Sequence, residues 1–339
     1  MPFSVLSLLS LTLALSNPVS GAPPAGPFPA GSNFEVALQS IKAPDLTRHG
    51  AFLSSDAFEG RNCGSRGEGI AALYIASELR RMGVNPGGTD GTYFQHVPLS
   101  GDRLSFNVLG RIDGTDPGLR HEVVIVGAHY DHLGMNRSGE IYNGADDNAS
   151  GTSAVLELAE AFTVFPPRRQ VVVIFFCGEE QGLLGSKYYC EHPLVPLRDT
   201  VTMINLDMVG RSEDDYLFVG GAGTSPVFRP LLAQWNESFG FALEIKDPGG
   251  APSDNMSFFF RGIPVLFFFT NVHEDYHQPG DDWERVNLVG MERIARMVFA
   301  VAADVANADE RPEFVRASGM ALPGTFMERM RGWGQRGER

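Results

Sequence analysis

The chain has 339 residues, 43% hydrophobic and 20% charged, an ordinary globular balance that excludes disordered and fibrous classes. Asp and Glu total 41 against 27 Lys and Arg, a formal net charge of −14. This argues against a nucleic-acid partner and against adhesion to an anionic membrane, since both need a positive footprint. Three cysteines are too few for a disulfide scaffold and lack zinc-finger spacing.

Residues 1–22 carry no charged side chain, and the Leu-rich run from Val5 to Leu15 is too short to span a bilayer comfortably. Asn17-Pro18 stops the run, and the small residues Ser20, Gly21 and Ala22 follow. We read residues 1–22 as a secretory signal peptide, although the start lacks Lys or Arg. The expectation is therefore a secreted, periplasmic or otherwise extracytoplasmic protein with no membrane span after signal removal. Residues 23–33 read as a Pro/Gly-rich linker, 34–310 as one folded domain, and 311–339 as a poorly packed tail.

Residues 34–54 predict an amphipathic helical start, and residues 60–67 a glycine-rich turn. A helix over about 68–82 follows, because Ile70, Leu73, Tyr74, Ala76 and Leu79 recur near helical spacing. Asn85-Pro86-Gly87-Gly88 ends that unit. From residue 104 onward apolar runs alternate with helical stretches. The runs cover 123–126, 171–176, 201–206 and 264–269, with 217–219 a weaker candidate. The helical stretches cover 151–162, 225–239 and 287–306. This alternation predicts an α/β protein, a three-layer α/β/α sandwich with a mostly parallel mixed central sheet flanked by helices. Runs such as VVVIFF lack polar alternation, as expected of strands covered on both faces.

Potential metal ligands follow these runs at once. His129, Asp131 and His132 follow the first, Cys177-Gly178-Glu179-Glu180 the second, and Asp207 the third. His273, Asp275, Tyr276 and His277 follow the last, and Asp146-Asp147 precede the helix that begins near residue 151. In open α/β sheets ligands bind beyond the carboxyl ends of the strands. Histidine with carboxylates and no thiolate suits a borderline divalent ion, most often Zn²⁺, and the donors are numerous enough for two ions. A two-metal centre is well served by a bridging carboxylate from a loop. Consecutive side chains diverge, so Glu179 and Glu180 divide into one ligand and one unligated base.

The blocks GAHYDHLG, YNGADDNASGTSAVLELA, CGEEQGLLGS, INLDMVGR and DYHQPGDD resemble, in order, the motif blocks of the secreted di-zinc aminopeptidases. These form peptidase family 28 of the metallopeptidases, relatives of glutamate carboxypeptidase and glutaminyl cyclase. The likeness runs over roughly 45–305 and implies a single catalytic domain. It implies that His129 and Asp207 hold one zinc, that Glu180 and His277 hold the other, and that Asp147 bridges them, with a cis peptide after it. It also implies Asp131 as the acid that orients His129, Glu179 as the general base, and Tyr276 as an oxyanion donor. Asp146, His132 and His273 are assigned supporting or loop positions. The site departs from many relatives at Asn255, where they carry His after Ser-Asp.

The implied activity is release of N-terminal amino acids from a peptide or protein with a free N-terminus. A zinc-activated water would do this with a Glu base, Co²⁺ or Mn²⁺ being possible substitutes, in a monomer. Three alternatives stay open here: a glutamate-carboxypeptidase-like enzyme, with Arg211 and Arg261 as its only nearby cations; a glutaminyl-cyclase-like zinc enzyme; and a non-catalytic binding relative. A Cys177–Cys190 bridge across the intervening turn is conceivable, the odd cysteine total weighing against it.

Overall fold

Pro44 divides the first amphipathic stretch. It lies in a first helical turn, where a missing N–H costs no hydrogen bond, so α1 (Asn33–Ser40) and α2 (Ala43–Leu53) form in place of one continuous start. The structure, a computed structural model, describes residues 28, 32–101, 103–247 and 252–316. The expected signal segment, most of the linker and most of the tail lie outside the described residues.

Helix α3 (Arg66–Arg81) starts at Ser65, whose hydroxyl accepts from the Glu68 N–H at 3.2 Å. The sheet strands are β1 (Asn85–Pro86), β2 (Phe94–Pro98), β3 (Leu104–Ile112) and β4 (Val123–His129). A two-stranded ribbon, β5 (Gly134–Met135) with β6 (Ile141–Tyr142), stands apart. The main sheet continues with β7 (Gln170–Phe176), β8 (Thr200–Leu206), β9 (Tyr216–Gly220), β10 (Ala242–Lys246) and β11 (Val265–Phe269). Its order is β1-β3-β7-β4-β8-β11-β9-β10, with β2 also on β3. The middle strands β7, β4, β8 and β11 are parallel, whereas β3 and β9 join them antiparallel, which makes the sheet mixed.

The unbroken apolar runs divide cleanly between two cores. Val171, Val173 and Phe175 of β7 enter one core, while Val172, Ile174 and Phe176 enter the other. Both faces are therefore covered, and every second residue serves each layer. On the first face lie α1, α2, α3, α4 (Gly151–Val164), α6 (Phe228–Phe239) and α8 (Leu288–Asn307). The second face is thinner, covered by α5 (Leu184–Glu191) and α7 (Asn255–Phe259). Among the described residues no helix is long and apolar enough to cross a membrane.

Register decides what meets at the sheet's end. His129 pairs with Phe176, Gly127 with Asn205, and Asn205 with Phe267, so four parallel strands finish within a few residues of one another. Their carboxyl ends open into the same crevice, where the acids and histidines singled out in the sequence gather.

A candidate metal centre

His129 is the last residue of β4 and Asp207 the first after β8, where its N–H donates to the Phe268 carbonyl at 3.1 Å. Asp147 comes from the wide turn Ala145–Ser150 before α4, and the Asp147–Asn148 peptide is cis. Gly144 opens that turn at φ 54, where an added Cβ would lie 2.2 Å from the Asp147 carbonyl oxygen, so only glycine fits there. The Asn148 side chain donates to the Leu206 carbonyl and accepts from Gly151 and Met208 N–H groups, buckling the turn onto the end of β8.

Asp147 stands in the middle. His129 Nε2 lies 3.2 Å from Asp147 Oδ1 and 3.3 Å from Asp207 Oδ1. His277 Nε2 lies 3.1 Å from Asp147 Oδ2 and 3.2 Å from Glu180 Oε2. Each carboxylate oxygen of Asp147 thus faces a different imidazole. Glu180 also splits its oxygens, for Oε1 is 2.8 Å from His132 Nδ1. Two sets of donor atoms, His129–Asp147–Asp207 and His132–Asp147–Glu180, each lie within 4.8 Å of one another. These sets contain only imidazole nitrogen and carboxylate oxygen, a donor chemistry that fits Zn²⁺, Co²⁺ or Mn²⁺.

Asp131 and Glu179 lie behind this group. His129 Nδ1 is 3.2 Å from the Asp131 main-chain carbonyl oxygen and 3.7 Å from Asp131 Oδ1, which accepts the Glu179 N–H at 3.1 Å. The Glu179 side chain forms no ion pair among the described residues. Burial, reinforced by the charges of Glu180 and Asp207 against His129, pushes its carboxyl well above the ordinary range. Burial works against a charged His277, but Asp147 and Glu180 overcome it and push the imidazole up to about 10. Asp147 is held well below the ordinary carboxylate range, its hydrogen bonds to His129 and His277 outweighing burial. The Tyr276 ring stacks on His277 at 3.8 Å between centroids, and burial among carboxylates keeps its hydroxyl protonated.

The residues singled out in the sequence as ligands, base and orienting acid therefore converge; His132, expected in a supporting or loop position, joins them in a donor set, while Asp146 and His273 stand one step away. His273 Nε2 is 3.2 Å from Asp146 Oδ2, while Asp146 Oδ1 accepts the Gly210 N–H, so Asp146 faces away from Asp147's partners. Asn255 is buried in α7, and its neighbour Asp254 is pushed up to about 7 by burial, with Asp131 and Asp207 adding to the effect against His129.

Two contributors had no assigned role in the sequence reading. Arg61 is fully buried and donates only to main-chain carbonyls: Tyr130 at 2.9 Å, Leu53 at 2.6 Å, Asn143 at 2.8 Å and Gly144 at 2.9 Å. It joins the loop after β4 to the turn of Asp147. Asp281 accepts the N–H groups of both Asp146 and Asp147 at 3.0 Å, fixing the same turn from the opposite side. The only cue to Asp281 was its place at the end of the last acidic block; Arg61 had none beyond a glycine-rich turn.

Residues 107–302 match the model of peptidase family M28. The chain belongs to peptidase family M28. Within the M28 proteins it is 30% identical to aminopeptidase YwaD of Bacillus subtilis over 205 residues, 58% of this chain and 44% of that one. The chain spans about half the length of the curated relatives it matches, or less. In fold it is similar to the LapA aminopeptidase of Legionella pneumophila, with a TM-score of 0.69, 20% identity and coverage of 86% of this chain and 79% of that chain. A glutaminyl cyclase of Bacteroides thetaiotaomicron shares the fold at a TM-score of 0.63 and 18% identity, covering 78% and 98%. The same fold therefore occurs in both proteins, and the chemistry of this chain rests on its own side chains.

Proposed function

We propose that this M28 chain is a zinc-dependent exopeptidase that hydrolyses N-terminal peptide bonds, with two ions held by His129, Asp207, Glu180 and His277 and shared through Asp147. One observation carries the reading: Asp147 offers one oxygen to each of two imidazole–carboxylate groups. The relative named aminopeptidase YwaD supports the same class. When bound, such ions supply Lewis acidity, polarising a carbonyl and lowering the pKa of a water.

The residues of the chain do the rest. Glu179, raised in pKa and unpaired, takes a proton from the attacking water and passes it to the leaving amine. Asp131 holds the Glu179 backbone and faces the other nitrogen of His129, which fixes both groups in place. Tyr276 Oη donates to the oxygen that gains charge as the carbonyl is attacked. Surplus carboxylates favour a cationic N-terminus and disfavour a C-terminal carboxylate. The substrate is accordingly a peptide or protein with a free N-terminus, the enzyme a monomer in an extracytoplasmic compartment.

The glutamate-releasing alternative needs unpaired guanidinium groups, and neither candidate fits. Arg211 is paired with Asp275 at 3.0 Å, and Arg261 donates to the Ser257 carbonyl at 2.9 Å. Against a glutaminyl-cyclase-like chemistry stands the completeness of both donor groups.

Hydrolysis of aminoacyl-anilides should be abolished by a chelator and restored by zinc, and the N-acetylated anilides should be inert. Cleavage of the acetylated substrate would overturn the reading. Glu179→Gln should lower kcat by roughly 10²–10⁴ with metal content unchanged.

A further inference from the structure

Behind the strand end that carries Glu179 and Glu180 lies a sealed pocket with two thiols. The sulfurs of Cys63 and Cys177 and a carboxylate oxygen of Glu68 lie within 4.8 Å of one another, and both cysteines are completely buried. Cys63 sits in the loop entering α3, and Cys177 directly follows β7. Cys190 packs in the core on the opposite face of the sheet, so the bridge to it considered from the sequence is not the pairing the fold prepares.

We propose that Cys63 and Cys177 form a disulfide when the chain folds in an oxidising environment. A disulfide holds its sulfurs at about 2.0 Å, so the two atoms close by less than about 3 Å from their separation here. Gly178, at φ 64, leaves the space this needs: an added Cβ would lie 3.0 Å from Cys63 Sγ.

The polar surroundings tolerate loss of both thiol protons. The Cys177 thiol donates weakly to Asn107 Oδ1 at 3.5 Å, but that oxygen also accepts the Cys177 N–H at 3.2 Å. Glu68 Oε1 accepts the Ser105 hydroxyl at 2.5 Å and Oε2 the Gly64 N–H at 2.6 Å, so neither oxygen depends on a cysteine. No buried acceptor loses its last partner on oxidation.

The same surroundings disfavour a metal held by these three residues. Two thiolates and a carboxylate would place three negative charges, one more than a divalent ion offsets, in a completely buried site where burial already pushes Glu68 up to about 7. A disulfide is uncharged. The crosslink closes the long loop from 63 to 177 and fastens the segment containing Arg61 to the root of the Glu179–Glu180 turn.

The oxidant is a low-molecular-weight disulfide. One cysteine thiolate attacks it, forming a mixed disulfide and releasing one small thiol. The second cysteine thiolate attacks the protein sulfur of that mixed disulfide and releases the second small thiol. Two protein thiols and one small disulfide thus become one protein disulfide and two small thiols. Because both sulfurs are buried in the native fold, the exchange takes place during folding.

The full chain should be reduced, unfolded, refolded with zinc in a mixture of glutathione and glutathione disulfide, and alkylated after denaturation. One cysteine of the three should be alkylated, with Cys63 and Cys177 peptides joined until reductant is added. Cys190→Ser should then show none. Adding reductant should lower the Tm of the oxidised protein by roughly 5 °C or more and leave a Cys63→Ala/Cys177→Ala variant unmoved. Three alkylated cysteines, or a joined Cys177–Cys190 peptide, overturns the proposal. So does zinc in excess of the Cys63→Ala content with all thiols reduced, which makes the pocket a metal site. The peptide map of the unsubstituted chain decides the matter even where the double variant fails to fold. It needs no peptidase activity, so its outcome is separate from that of the proposed function.

Discussion

The two halves that meet at Asp147 are built differently. His129 and Asp207 belong to the ends of β4 and β8, strands hydrogen-bonded to each other, and their side chains are 1% and 12% exposed. Glu180 and His277 hang from loops: Gly178 turns the chain at φ 64 before Glu180, and His277 itself adopts φ 56 with 34% of its side chain exposed. Sheet register therefore places one half, while the other depends on turns and on the pins behind them. The general lesson is that two chemically similar donor groups can differ in rigidity by whether a strand or a loop supplies them.

The comparison breaks most completely at the shared residue. Asp147→Asn should lose both ions and at least roughly 10³ in kcat/KM, read by metal analysis and anilide hydrolysis; retention of both ions sinks the shared role. Next in size is the contrast between halves. His129→Ala should lose its ion and destabilise the fold by about 1–3 kcal/mol, since it leaves buried carboxylates unpaired. His277→Ala should lose one ion with a smaller fall in Tm, because its side chain is partly exposed. Equal destabilisation by the two variants would show that the halves do not differ in rigidity. Asp281→Asn should weaken zinc affinity by roughly 10- to 100-fold and leave the far face of the sheet intact, as equilibrium titration with a competing chelator would reveal.

The smallest effect is a pH slope. In the metal-free protein His277 is pushed up to about 10, so the folded state keeps a proton that the unfolded chain releases near pH 6.5. That contribution to stability is complete below pH 6.5 and lost as pH rises towards 10. Thermal unfolding of metal-free protein should show this decline. His277→Gln and zinc-loaded protein should both show less of it; an unchanged slope in the variant would assign the proton elsewhere.

Much of this was legible because each donor follows an apolar run. VVIV, VVVIFF and VTMINL are strands by composition, so His129, Glu179 and Asp207 had to emerge at one end of a parallel sheet. The amphipathic spacing of 34–54 suggested one continuous start, and the division at Pro44 was not read from it. Less legible were the antiparallel additions, because pairing direction at β3 and β9 is decided by tertiary closure and not by local pattern. Arg61 was invisible for a plainer reason: its acceptors are main-chain carbonyls, which every residue possesses. Asp281 likewise serves backbone N–H groups, and the meeting of Cys63 with Cys177 needed the path of the chain through the whole first face.

The pins on Asp147 reach far along the chain. Arg61 grips the turn from well upstream, and Asp281 and His277 reach it from more than a hundred residues downstream. A nascent chain emerging from the ribosome thus carries the central strands long before the two donor groups share a fixed Asp147. The proposed hydrolytic competence should therefore appear only when the last loop has joined.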